Sequence, residues 1–81
     1  QNYPNPFNPS TRIVFSLPRA ERTKLALYDL LGREVRTLVD QEMAAGQHAA
    51  EFDAGQLPGG VYICRMQSGD FIAARKMILM K

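Results

Sequence analysis

His48 and Cys64 are the only histidine and the only cysteine in the chain, so nucleophilic or metal chemistry would have to begin with them. A Cys–His pair becomes reactive when the imidazole takes the thiol proton and a third group orients the ring. These two residues lie on separate segments. They meet only if those segments are neighbours, and the sequence offers neither an orienting group nor an oxyanion hole. Zinc requires recognisable ligand spacings, and a single His and a single Cys supply none. Glu51 and Asp53 share one strand face, but a glycosidase holds its carboxylates across a substrate cleft. A domain of 81 residues leaves little room for such a cleft. Calcium at Asp53 or Asp70 would need several more oxygen ligands. "LPGGVY" is glycine-rich without the lysine of a phosphate-binding loop, and it reads as a turn. "PFNP" matches the weak PxxP pattern of polyproline ligands. The bland reading is the stronger in each case: Cys64 as a small packed side chain, His48 as a strand histidine, the carboxylates as a solvated face. The expectation is a non-enzyme with no catalytic residues, no metal site and no cofactor.

The elements that carry these residues are short. One small core is all that such a length supports. A hydrophobic fraction of 46% is enough to build it and too high for a disordered tail. The formal net charge of +2 is near neutral and marks no nucleic-acid partner. A single cysteine forms no disulfide within the domain. No apolar run approaches the roughly 20 residues of a membrane span, so no transmembrane segment is expected. The chain opens on Gln1 without the basic and apolar regions of a secretory signal. It is expected to be a piece of a longer precursor, and not its N-terminal piece.

Period-2 patterning dominates. Ile13, Phe15 and Leu17 share a face in "TRIVFSLP", which Pro18 stops. Thr23, Leu25 and Leu27 alternate with Lys24, Ala26 and Tyr28 in the next segment. "DLLG" then suits a type I turn, with Asp29 first and Gly32 fourth. A returning strand would place Val35, Thr37 and Val39 together. In the same stretch Val35, Leu38, Val39 and Met43 also fit helical spacing, with Gly46 as a C-cap. The β-branched residues and the preceding turn favour the strand. His48, Ala50 and Phe52 share a face further on. "LPGG" is a turn in which Pro58 fixes φ and Gly59 is expected to supply the positive φ. In "VYICRM", Val61 and Ile63 oppose Tyr62, Cys64 and Met66. "QSGD" is a tight turn, and "FIAARKMILMK" is the last strand. The expected fold is all-β: an antiparallel β-sandwich of about seven short strands joined by Gly- and Pro-rich turns.

Both ends stand out. In "QNYPNPFNPS", Pro4, Pro6 and Pro9 remove amide donors and hold Tyr3, Asn5 and Asn8 extended. The segment is stiff, and Tyr3 and Phe7 are suited to packing across one end of a core. Residues 1–10 read as a Pro-rich lead-in arm to a sandwich over 11–81. At the other end Lys76 and Lys81 bracket Met77, Ile78, Leu79 and Met80. Flanking lysines guard an edge strand against aggregation. The same edge could be read by a receptor through strand addition.

Taken together, "NYPNPFNPST", "LALYDLLGREVRTLV", "AGQHAAEFDAGQLPGGVYICRM" and "KMILMK" resemble the type A C-terminal sorting domain of the type IX (Por) secretion system of Bacteroidetes and related phyla. The middle motifs also resemble the Ig-like domain of flagellar hook-capping proteins; the terminal strand favours the sorting domain. The resemblance implies an Ig-like sandwich and a non-enzymatic address tag behind an N-terminal cargo. A Sec signal would bring the precursor to the periplasm. The type IX translocon and its outer-membrane shuttle protein would then recognise the tag and pass the cargo to the cell surface or medium. A sortase-like surface peptidase usually removes the tag in that family, and the cargo is often anchored to lipopolysaccharide. Gly60, Tyr62 and the run from Lys76 to Lys81 match family positions associated with export. Two positions depart from the family pattern: Cys64 replaces an aromatic or aliphatic residue, and Arg75 stands where many members have Lys or Thr. The alternative reading is a structural Ig-like module of a larger surface or flagellar protein.

Overall fold

The computed structural model describes residues 10–80. Residues 1–9 of the lead-in arm and Lys81 therefore lie outside the described residues, and Ser10 already belongs to the first strand. The strands are β1 (Ser10–Leu17), β2 (Glu21–Tyr28), β3 (Glu34–Met43), β4 (Gly46–Asp53), β5 (Gly60–Ser68) and β6 (Phe71–Leu79). They are six among the described residues, one fewer than the patterning suggested. All pairings are antiparallel. β1 and β4 form one sheet, and the other runs β3-β2-β5-β6. Among the described residues no helix is long and apolar enough to cross a membrane.

Alternation builds the core between the sheets. Ile13, Phe15 and Leu17 come from β1, Ala50 and Phe52 from β4, Leu25 and Leu27 from β2, and Tyr62, Cys64 and Met66 from β5. Leu25 and Leu27 are the most deeply buried of the large side chains. Burying a leucine contributes about 1.5–3 kcal/mol relative to leaving it in water. A buried hydroxyl pair is satisfied: Thr23 on β2 and Ser68 on β5 lie 2.9 Å apart, oxygen to oxygen. Thr23 Oγ1 is also 3.2 Å from the Glu21 carbonyl. A hydroxyl has one proton, so Ser68 donates to Thr23 and Thr23 donates to the carbonyl.

The turn at Asp29 forms as the sequence indicates. Gly32 N–H donates to the Asp29 carbonyl at 3.0 Å, and Gly32 takes φ 85°. The Asp29 carboxylate accepts from Leu31 N–H at 2.9 Å, Arg33 N–H at 3.0 Å and Arg33 Nε at 2.8 Å. Leu30 and Leu31 are left exposed at the tip of this turn.

β3 is a strand, and of the expected Val35, Thr37 and Val39 only Thr37 fails to face the core. Leu25 faces Val39, Ala26 faces Thr37, Leu27 faces Arg36 and Tyr28 faces Glu34. Leu38 and Val35 are thus extra residues at two β-bulges, each of which resets the alternation. Thr37 is turned outward. Val35, Leu38, Val39 and Met43 pack against the core. The helix-like spacing in the sequence is the imprint of these bulges. Arg36, now opposite the buried Leu27, reaches the other sheet and donates to the Asp53 carbonyl at 2.9 Å.

Candidate recognition surface

The loop before β5 is built from its own polar groups. Asp53 Oδ1 accepts from Gly55 N–H at 2.8 Å, and Leu57 N–H donates to the Ala54 carbonyl at 3.1 Å. Pro58 then directs the chain toward β5. The positive φ falls on Gly60 (148°), not on Gly59, because the bend sits at the first residue of the strand. A side chain at Gly60 would meet no neighbour within 4 Å, so the constraint there is on the backbone alone. Tyr62 points into the core and its hydroxyl donates back to the Pro58 carbonyl at 2.6 Å. Gly60 pairs with Leu79 and Tyr62 with Met77, so Gly60 and Tyr62 are brought together with the terminal strand as neighbours across β5 and β6.

β6 is an edge strand with an unpaired outer side among the described residues. The apolar run splits by face. Leu79 is buried and Met77 is half-buried, both toward the core. Lys76, Ile78 and Met80 stand exposed, the last two at 55%. Leu79 therefore holds the strand down while alternate residues remain available.

Arg12 and Arg75 were not singled out by sequence reasoning as site residues. They flank an open groove of about 600 Å³ between β1 and β6, with Cys64, Met77 and Leu79 also in its wall. Alternation along β6 was the available signal, since it puts Arg75 on the face of Met77 and Leu79. The groove leaves Cys64 largely shielded. Burial pushes its thiol above the usual range, and the nearby Arg75 offsets this in part.

His48 and Cys64 stand on opposite sheets. The ring of His48 stacks on Phe15 with centroids 5.6 Å apart, and its Nε2 donates to the Ala44 carbonyl at 2.7 Å. The imidazole is thereby committed to packing and to a loop contact. Among the described residues no group of three or more His, Cys, Asp or Glu is placed to hold a metal ion.

The profile of the secretion-system C-terminal sorting domain family matches residues 1–80, and the chain belongs to that family. It is a type IX sorting domain, and such domains mark proteins for export to the cell surface or medium. No curated protein and no solved structure gives a match.

Proposed function

We propose that this sorting domain is read at its last strand. An attached N-terminal cargo would enter the periplasm by the Sec route. The outer-membrane shuttle protein and the type IX translocon would then engage the domain and pass the cargo outward, and a sortase-like surface peptidase would act on the tag afterwards. The domain performs no catalysis in this reading; any activity belongs to the cargo. The supporting observation is the division of the terminal run. Leu79 and Met77 fasten β6 to the sandwich, and Lys76, Ile78 and Met80 are displayed on an open edge. An open edge offers backbone donors and acceptors for strand addition, and the displayed side chains supply selectivity. Gly60 and Tyr62 serve by shaping the loop and the inner partner of that strand, and the lead-in residues Tyr3, Pro4, Asn5, Pro6 and Phe7 serve as the junction to the cargo.

The test is a fusion of residues 1–81 behind a Sec signal and a fluorescent protein in a type IX-competent bacterium. Two companions are needed. One lacks Lys76 to Lys81. The other keeps the buried Leu79 and carries Lys76→Glu, Ile78→Asp and Met80→Asp. Fluorescence at the surface for the parent, with periplasmic retention of both companions, is the expected result. Export of the triple variant would remove the last strand from the mechanism. Retention of all three would favour a structural Ig-like module.

A further inference from the structure

The smaller sheet is one strand short of covering the larger. β1 and β4 lie against a four-stranded sheet, and the core is drawn from β1, β2, β4 and β5 with only Leu79 fully buried on β6. Beside β1 is the groove of about 600 Å³. One side of β1 pairs with β4, and its other side is unpaired among the described residues. Below lies the inward face of β6, where Ala73 and Arg75 are exposed and Met77 is half-buried. Their β5 neighbours, Met66, Cys64 and Tyr62, are all buried. The sandwich therefore covers β6 only at its Met77–Leu79 end, and the stretch through Ala73 and Arg75 extends beyond it uncovered.

We infer that this groove accepts a seventh strand in trans: an extended segment of a partner protein that alternates acidic with apolar residues and adds to the free side of β1. The inference rests on the sorting reading for the claim that other proteins handle this domain. Four observations select the occupant. The groove carries Arg12 and Arg75 and no acidic residue, and neither has an ion-pair partner among the described residues. Apolar surface from Ile13, Met77 and Leu79 lies between these cations. A second copy entering the groove by its own β6 is disfavoured, because it would bring its Arg75 and Lys76 against the groove's Arg12 and Arg75. The chain's own residues 1–9 are a poor fit. They contain no acidic residue, they run directly into β1, and prolines at 4, 6 and 9 remove the donors that a paired strand needs.

The probe is a synthetic strand-length peptide alternating glutamate with valine, and the control is the same peptide with lysine for glutamate. Both are titrated into the isotope-labelled 81-residue domain and followed by amide NMR. The glutamate peptide is expected to bind, to shift amides along β1 and at Ala73, Arg75 and Met77, and to weaken as salt rises. Arg12→Glu with Arg75→Glu, both exposed positions, should weaken it by about tenfold or more while the remaining spectrum stays folded. No binding, equal binding of both peptides, or shifts confined to the outer side of β6 would each overturn the inference. So would binding seen only after residues 1–9 are deleted, since those residues would then be the occupant. Peptide binding by a domain that fails to export its fusion leaves this inference standing and removes the reading above it. Export without peptide binding does the reverse.

Discussion

The hydroxyl of Tyr62 donates to the carbonyl of Pro58 at 2.6 Å, joining the buried centre of β5 to the exposed loop that leads into it. The ring fills core volume and the hydroxyl fixes the loop. Tyr62→Phe should keep the first role and lose the second. The expected cost is about 1 kcal/mol, because the freed carbonyl can be hydrated. For a domain of this size that lowers the melting temperature by about 4–8 °C. Tyr62→Ala also leaves a cavity and should cost about 3–5 kcal/mol. Thermal melts of the two variants separate the roles; equal losses would contradict the division.

Gly60 tests the loop from the backbone side. At φ 148° an alanine is strained although no atom lies in its way. Gly60→Ala should cost about 1–3 kcal/mol, and Gly59→Ala much less. Urea midpoints for the pair decide it. A larger loss at Gly59 would mean that the bend lies where the sequence motif alone had put it.

The turn at Asp29 gives a pH dependence. The Arg33 backbone N–H, foremost, and then the Arg33 side chain and Leu31 N–H hold the Asp29 carboxyl below its usual range. Glu34 is likewise lowered, first by Lys24 and then by Thr37. A carboxyl lowered on folding stabilises the fold above its unfolded value near ~3.9–4.3 and loses that contribution as pH falls through the folded value. Asp29→Asn should therefore be less stable than the parent at neutral pH, and the gap should close in acid. Chemical denaturation at neutral and strongly acidic pH measures it; a gap that widens in acid has the wrong sign. Lys24 is raised, chiefly by Glu34, so its contribution is present at neutral pH and lost only at strongly alkaline pH.

Thr23 and Ser68 join β2 and β5 inside the sheet. Thr23→Val leaves the Ser68 hydroxyl buried without its acceptor, at about 1–3 kcal/mol. Adding Ser68→Ala removes the orphan, so the double variant should recover part of that loss. A double-mutant cycle reads the coupling directly. Additive losses would show that the two hydroxyls act independently.

Cys64 is held in the wall of the groove with its thiol shifted upward. Thiolate is the reactive form. Alkylation at neutral pH should be slow in the folded domain and fast in denaturant. Rapid labelling of the folded domain would show that the groove opens more deeply than its resting shape. Ligand binding in the groove should slow labelling further.

Much of the fold was legible because it is local. Alternation placed Ile13, Phe15 and Leu17, then Leu25 and Leu27, then Tyr62, Cys64 and Met66 on inward faces, since a strand's side-chain period is two whatever it pairs with. Asp29 and Gly32 specified their turn through contacts within five residues. The opening "NYPNPFNPST", the motifs around "YDLLGREV" and "LPGGVY" and the terminal run together were sufficient to indicate the family. Tertiary structure decided what depends on distant partners. The bulges at Val35 and Leu38 exist only against the register of β2, and they explain why Thr37 turns outward and Arg36 inward. The division into sheets of two and four strands depends on which strands pair, and no single segment encodes that. It leaves the first half of β6 uncovered, gathers Arg12 and Arg75 around one groove, and parts His48 from Cys64. Side-chain alternation is a property of each strand by itself, whereas register and sheet membership are free energies of pairs far apart in the chain.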